Sequence, residues 1–231
     1  MEKVIELSDV VISRENMNNY KILLKHNSDK NTHTVYSYLL ERLNIDQERD
    51  SVYNPEQSYS ININTYSVTS FDKFLENNNY RLEYDIVLKI LQEYSNIIMY
   101  LEKMKKTIVL FSLEDLVVID ETTFLFINNE NIFNLRESNE KMVDISIPLE
   151  MTKFISPELQ KQESLPFSLD YRSGFFSLAS ILTYCLFAET LIDKDQNQVE
   201  KLLQPINNTK LFWFIIRCGE RNIKERVCLF V

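Results

Sequence analysis

Between Phe175 and Phe187 the chain reads F-F-S-L-A-S-I-L-T-Y-C-L-F. Its only polar residues are Ser177, Ser180, Thr183 and Tyr184, and no polar stripe separates a wet face from a dry one. A helix that is apolar nearly all round has to be enclosed on every side. At 13 residues it is too short to cross a bilayer, which needs about 20. The run therefore demands a domain able to wrap a central helix. It lies late in the chain, after the Ser-Pro-Glu turn of F-I-S-P-E at 154–158.

A chain of 231 residues accommodates one large domain or two small lobes. Its 45% apolar content is enough for a sizeable core. The net charge of −9 argues against a nucleic-acid binder that works by neutralising phosphates. Cys185, Cys218 and Cys228 show no C-x-x-C spacing, so they make neither a disulfide framework nor a zinc site. Buried free thiols in a reducing compartment fit them better. The start, M-E-K-V-I-E-L-S-D, lacks the apolar core of a signal peptide. These features point to a cytoplasmic protein without membrane contact. There are only two glycines, Gly174 and Gly219, so a glycine-rich phosphate loop is excluded. Asparagine occurs 22 times, which reads as codon bias from an AT-rich genome rather than as chemistry.

In chain order, V-I-E-L-S-D-V-V-I and Y-K-I-L-L-K within 1–25 read as short strands. Val35, Leu39, Leu40 and Leu43 fall at helical spacing and predict a helix over 33–43. Residues 46–58, with Pro55, read as a loop. S-Y-S-I-N-I-N-T-Y alternates as a strand does. T-S-F-D-K-F-L-E opens a short helix, with Ser70 or Thr69 as cap and Asp72 near its positive end. Leu82, Ile86, Ile90, Tyr94, Ile97 or Ile98, and Leu101 predict a long helix over 81–104. A strand T-I-V-L-F follows, then a hairpin V-V-I-D-E-T-T-F-L-F-I. Residues 128–153 read as a long surface loop. Beyond the central helix, V-E-K-L-L-Q, K-L-F-W-F-I-I-R-C and K-E-R-V-C-L-F each predict a helix, with Trp213 in the core. Strands therefore concentrate before about residue 66 and helices after it.

This order resembles that of the protein kinases. Y-K-I-L-L-K is similar to the third strand of the kinase small lobe, and Y-L-L-E-R-L-N-I to the end of its helix. S-I-N-I-N-T-Y-S-V-T-S-F-D-K-F-L resembles the fifth strand, the hinge and the first large-lobe helix. F-I-S-P-E resembles the A-P-E motif, D-Y-R-S-G-F-F-S-L-A-S-I-L the buried D-x-x-S-L-G-x-x-L helix, and R-C-G-E-R-N-I-K-E-R the closing R-C-L-x-x-D-P-x-x-R. The resemblance implies an α+β, protein-kinase-like bilobal fold. It has a small strand-rich N-lobe (1–66) and a larger, mostly helical C-lobe (67–231). It also implies a buried ion pair between Glu158 and Arg226, for which the planar guanidinium fork is suited.

Phosphoryl transfer rests on positioning and charge neutralisation. A kinase supplies a glycine loop, a lysine paired to a helix glutamate, a catalytic aspartate, and Asp and Asn on magnesium. Residues 1–25 contain no glycine at all. The resemblance assigns Lys25 to the nucleotide lysine, with Lys21 as competitor. It puts Tyr36 at the helix glutamate, with Glu41 as the alternative. Phe111 falls at the catalytic base, Leu116 at the metal-binding asparagine, and Asn128, Asn129 and Glu130 at D-F-G. Gly174 replaces the aspartate that ties the central helix to the catalytic loop. The base, both metal ligands and the phosphate cradle are thus missing. Loss of a base alone costs about 10²–10⁴ in rate.

The implied protein is a pseudokinase similar to degenerate kinase-like proteins of large DNA viruses. Its expected role is as a scaffold that binds host or virion proteins, in the host cytoplasm or the virion. No catalytic residue, metal or cofactor is expected. The alternative is an atypical ATP-binding kinase or nucleotide switch, with Asp115 or Glu114 as a shifted carboxylate and Glu114, Asp115, Asp120, Glu121 and Glu130 as the residues to supply a metal site. His26 and His33 are isolated. Ser112 and Ser156 lack a histidine partner, so neither suits nucleophilic catalysis.

Overall fold

A computed structural model describes residues 2–25, 31–45, 51–54, 58–136 and 141–228. The chain divides into two compact units, Met1–Asn77 with Leu113–Glu130, and Asn78–Ser112 with Asn131–Val231. The architecture is α+β.

The first unit opens with β1 (Glu2–Glu6), β2 (Val10–Arg14) and β3 (Asn19–Lys25). These are followed by helix α1 (Thr32–Leu43), β4 (Ser51–Asn54) and β5 (Ser58–Asn64). The strands form one antiparallel sheet in the order β1-β2-β3-β5-β4. Alternation in β3 sends Tyr20, Ile22 and Leu24 inward, as period-two patterning requires. Ile22 pairs with Ile61 of β5, and both are fully buried. Val35 and Leu39 of α1 are buried as well. Part of 46–58 is thus a strand rather than a loop. β4 is short, and its pairing lies with β5, which its own four residues do not encode. The rest of that stretch, 46–50 and 55–57, lies outside the described residues.

A second sheet in this unit contains β6 (Val68–Ser70), β8 (Leu116–Ile119) and β9 (Thr123–Phe126), with β8 in the middle. Helix α2 (Phe71–Asn77) packs on it, with Phe71 and Phe74 edge-on to Phe124. The Ser70 hydroxyl accepts the Lys73 N–H, the cap legible in the sequence. The β8–β9 hairpin turns through Asp120 and Glu121, both at positive φ, which matches the twist of antiparallel strands.

The second unit contains α3 (Tyr84–Lys103), β7 (Lys106–Ile108), β10 (Ile132–Asn134) and β11 (Met142–Ile145). It continues with α4 (Pro157–Gln160), β12 (Phe167–Asp170), α5 (Ser173–Phe187), α6 (Gln196–Leu203) and α7 (Lys210–Cys218). Val87, Ile90, Tyr94, Ile97 and Leu101 of α3 are buried, so Val87 rather than Ile86 carries the first turn. The stretch 128–153 is not simply a loop. β10 pairs with β7, and β11 pairs with β12. A cluster of Val109, Leu110, Val143, Ile145, Leu159 and Leu169 sits among these pieces. Each strand is three or four residues long and gains its identity from a partner distant in sequence.

Helix α5 is the buried helix that the sequence demands. Its internal hydroxyls are all engaged. Ser173 bonds Ser156 at 2.5 Å, and Ser177 accepts the Phe111 N–H at 2.8 Å. Ser180 accepts the Leu191 N–H at 3.2 Å, and Thr183 donates to the Ala179 carbonyl at 2.8 Å. T-I-V-L-F leaves the strand after Ile108 because Phe111 turns its N–H to Ser177 instead of to a neighbouring strand. Among the described residues the last predicted helix is also absent: Ile223–Glu225 is a single 3-10 turn and Arg226 is extended. That conformation lets the Arg226 side chain reach Glu158.

Two positions in this unit respond oppositely to glycine. A Cβ on Gly174 would stand 2.0 Å from the Ile108 carbonyl oxygen. Gly174→Ala, ordinarily favourable in a helix, is expected to destabilise by about 3 kcal/mol through overpacking. Ala188 closes α5 in the left-handed region at φ 58°. Ala188→Gly is expected to stabilise by roughly 0.5–1 kcal/mol, because glycine adopts that conformation without a Cβ clash. Urea unfolding of the two variants checks both signs.

Candidate functional site

The polar residues assigned by resemblance to nucleotide and metal fall in the first unit and form one hydrogen-bonded network. Residues 7–9 turn the chain between β1 and β2, closed by the Leu7 N–H on the Val10 carbonyl at 2.9 Å. Lys25, the last residue of β3, sits beside this turn. Its backbone N–H donates to the Asp9 carbonyl at 2.8 Å, and its ammonium donates to the Ser8 carbonyl at 3.3 Å. The Ser8 hydroxyl donates to the Glu130 carboxylate. The Glu130 N–H donates to Asn128 Oδ1 at 3.0 Å, and Asn128 Nδ2 donates to Asp115 Oδ1 at 2.8 Å.

A second branch leads inward. Thr32, at the start of α1, donates to the Lys25 carbonyl at 3.4 Å and accepts from Asn129 Nδ2 at 2.9 Å. Asn129 is only 2% exposed, and its Oδ1 has no hydrogen-bond partner among the described residues. Lys25, Asp115, Asn128 and Glu130 are therefore neighbours in one network. Ser8, Thr32 and Asn129 complete it. Sequence reading had no signal for Ser8 or Thr32, since each acts through a residue about 100 or more positions away.

Tyr36, at the helix-glutamate position, is buried and its ring lies 4.5 Å from that of Tyr59. Glu41 is exposed on α1 and Lys21 is half-buried on β3. Leu116 is 1% exposed within β8. Glu114 and Glu121 are exposed. Asp120 accepts the Tyr66 and Ser67 N–H groups at 2.9 Å each. The Thr65 hydroxyl and these backbone donors hold its carboxyl below the usual aspartate range. Asp120 thus fastens the hairpin turn to the entry of β6. Among the described residues no group of three or more His, Cys, Asp or Glu could hold a metal ion.

Phe111, which the resemblance puts at the catalytic base, lies in the second unit. Its ring is 1% exposed and meets Tyr94 edge-on at 4.9 Å. Its N–H goes to Ser177 and its carbonyl accepts the Thr152 hydroxyl at 3.2 Å. A phenyl ring offers no lone pair for a proton, so this position cannot act as a base. The central helix is tied to this segment through its backbone and a serine. Gly174 brings the helix backbone against Ile108, and Ser177, one turn further on, binds Phe111.

Glu158 and Arg226 make a bidentate pair, Nη1 to Oε1 at 2.5 Å and Nη2 to Oε2 at 2.9 Å. The arginine side chain is 0% exposed and the glutamate 22%. Arg226 Nε also donates to the Glu220 carbonyl at 2.6 Å, and its guanidinium lies 5.1 Å from the Phe176 ring centroid. The site fixes α4, the start of α5 and the C-terminal turn to one another. Ser156 caps α4 by accepting the Leu159 N–H and is buried, which accounts for it without nucleophilic chemistry.

Burial pushes the Cys185 thiol up, and burial followed by the neighbouring Cys228 does the same for Cys218. Neither is poised as a thiolate. His33 is exposed with its ring edge toward Tyr59, and His26 lies outside the described residues. No helix among the described residues is long and apolar enough to cross a membrane.

The ion pair supplies a test of what holds the second unit. Glu158→Gln leaves a buried guanidinium uncompensated and is expected to destabilise by about 3–5 kcal/mol. Arg226→Met in the same background is expected to add far less than it does alone. A double-mutant cycle by urea unfolding reads that coupling. No family model and no curated protein matches the chain.

Proposed function

We propose that the chain is a protein-kinase-like module without phosphotransfer that acts by binding protein partners. The order of elements supports this reading. A third strand ends on a lysine and leads into a helix, and a fifth strand leads through β6 into α2. A long α3 precedes the segment carrying Phe111, and a Ser-Pro-Glu turn is anchored to a late arginine.

One observation carries the loss of chemistry. Lys25 and Glu130, which resemblance puts at the nucleotide lysine and in D-F-G, are both bonded to Ser8. The turn that a glycine loop would form over phosphates carries side chains instead, and it is held to these two groups. A nucleotide entering there would have to displace those bonds and pass a turn with no glycine. Phe111 and Leu116 add apolar side chains where a proton acceptor and a metal ligand are needed. Similarity to degenerate kinase-like proteins of large DNA viruses makes host or virion proteins the expected class of partner, met in the host cytoplasm or the virion.

Thermal unfolding with ATP, with and without Mg²⁺ or Mn²⁺, tests the reading. A ligand at 100 times its Kd adds about 2.7 kcal/mol of stability. A flat melting temperature is expected. A metal-dependent rise that disappears in Lys25→Ala, or metal-dependent phosphate transfer, overturns the proposal.

A further inference from the structure

Trp213 lies within L-F-W-F-I-I, where the sequence points to the core, yet it is 47% exposed. The geometry of α7 explains the difference. Leu211, Phe212, Phe214, Ile215 and Cys218 fill the buried side. Lys210, Trp213 and Arg217 follow at steps of three and four and share the outer side. These three line a groove of about 240 Å³ with Leu88 and Leu91 of α3, Phe214, and Val227, itself 44% exposed. Tryptophan and arginine are the side chains most enriched at the energetic centres of protein interfaces. Among the described residues neither Lys210 nor Arg217 pairs with a carboxylate. They are seven residues apart, about 10 Å along the helix axis, with Trp213 between them. In a chain of net charge −9, this is an apolar groove with a cation at each end.

We infer that the groove docks an acidic protein segment, one apolar side chain entering beside Trp213 and a carboxylate meeting each of Lys210 and Arg217. The inference rests on the reading of the chain as a protein-binding module and names the chemistry of its partner. Charge selects this occupant. The two groove cations attract a short segment that sets a carboxylate beside each, whereas a whole second copy or an extended anionic lipid surface also faces the rest of a chain of net charge −9. The groove is also concave, which suits an inserted side chain better than a bilayer.

Trp213 is the only tryptophan, so its emission reports this groove alone. The full chain is titrated with a fluorescein-labelled helical peptide carrying a leucine flanked by glutamates three residues before it and four after. A scrambled peptide and a Lys-for-Glu peptide serve as comparisons. The expected result is saturable anisotropy and a blue-shifted Trp213 emission with the acidic peptide alone. Lys210→Glu with Arg217→Glu weakens that binding at least tenfold and gains binding to the Lys-for-Glu peptide. Both residues are exposed, so the double variant keeps the wild-type melting temperature.

The inference is overturned by affinity weaker than about 1 mM or by equal binding to the double variant. It is also overturned if the emission shift arises only with phosphatidylserine vesicles or with self-association of the chain. Metal-dependent nucleotide stabilisation that disappears in Lys25→Ala, read separately in the same preparation, overturns the proposed function and leaves the groove result standing. A flat nucleotide response with no peptide binding overturns the groove alone.

Discussion

The second unit depends on enclosing α5. A helix with no wet face has to satisfy its few polar groups internally, since each unpaired buried polar atom costs about 1–3 kcal/mol. Here three of its hydroxyls become fastenings. Ser173 holds the Ser-Pro-Glu turn through Ser156, Ser177 holds Phe111, and Ser180 holds Leu191 beyond the helix end. Gly174 removes the one side chain that would keep the Ile108 backbone away. The helix therefore positions the segments around it as well as filling the core. The Glu158–Arg226 pair adds the C-terminal turn to the same assembly.

The first unit shows the other way in which polar groups are used up. Lys25, Ser8, Glu130, Asn128 and Asp115 satisfy one another in sequence. In a working phosphotransfer site such groups are held toward a nucleotide and a metal. Here the lysine meets a carbonyl and the glutamate meets a hydroxyl. A polar network of this kind stabilises a fold and fixes a turn. The buried Oδ1 of Asn129 is the exception within it.

Scarcity of glycine shapes the backbone throughout. Ten described residues other than glycine sit at positive φ, and neither glycine does. Asn44, Asn79 and Asn208 take some of these positions, where asparagine is tolerated better than most residues. Ala188 and Tyr80 take others at a cost of about 1–2 kcal/mol each. The two glycines serve close approach instead: Gly174 against Ile108, and Gly219 against the Ile215 carbonyl.

Local patterns were legible where one element carries its own signal. The apolar run of α5, the three-four spacing of α3, the alternation of β3 and the Ser70 cap depend on residues a few positions apart. The resemblance also singled out Glu158, Arg226, Lys25 and Asn128 as residues to locate. β4, β10, β11 and β12 were not legible, because strands of three or four residues are defined by distant partners. Trp213 was misassigned for a related reason: its neighbours are apolar, but helical geometry turns it outward between Lys210 and Arg217. What the sequence by itself determined is that a central helix must be buried, that no glycine loop can form, and that apolar residues occupy key positions of the kinase resemblance. Tertiary structure alone decided which hydroxyls fasten which segments, that Lys25 and Glu130 meet at Ser8, and that the one tryptophan faces out. Hydrogen bonds between residues far apart in the chain leave no periodic trace in it.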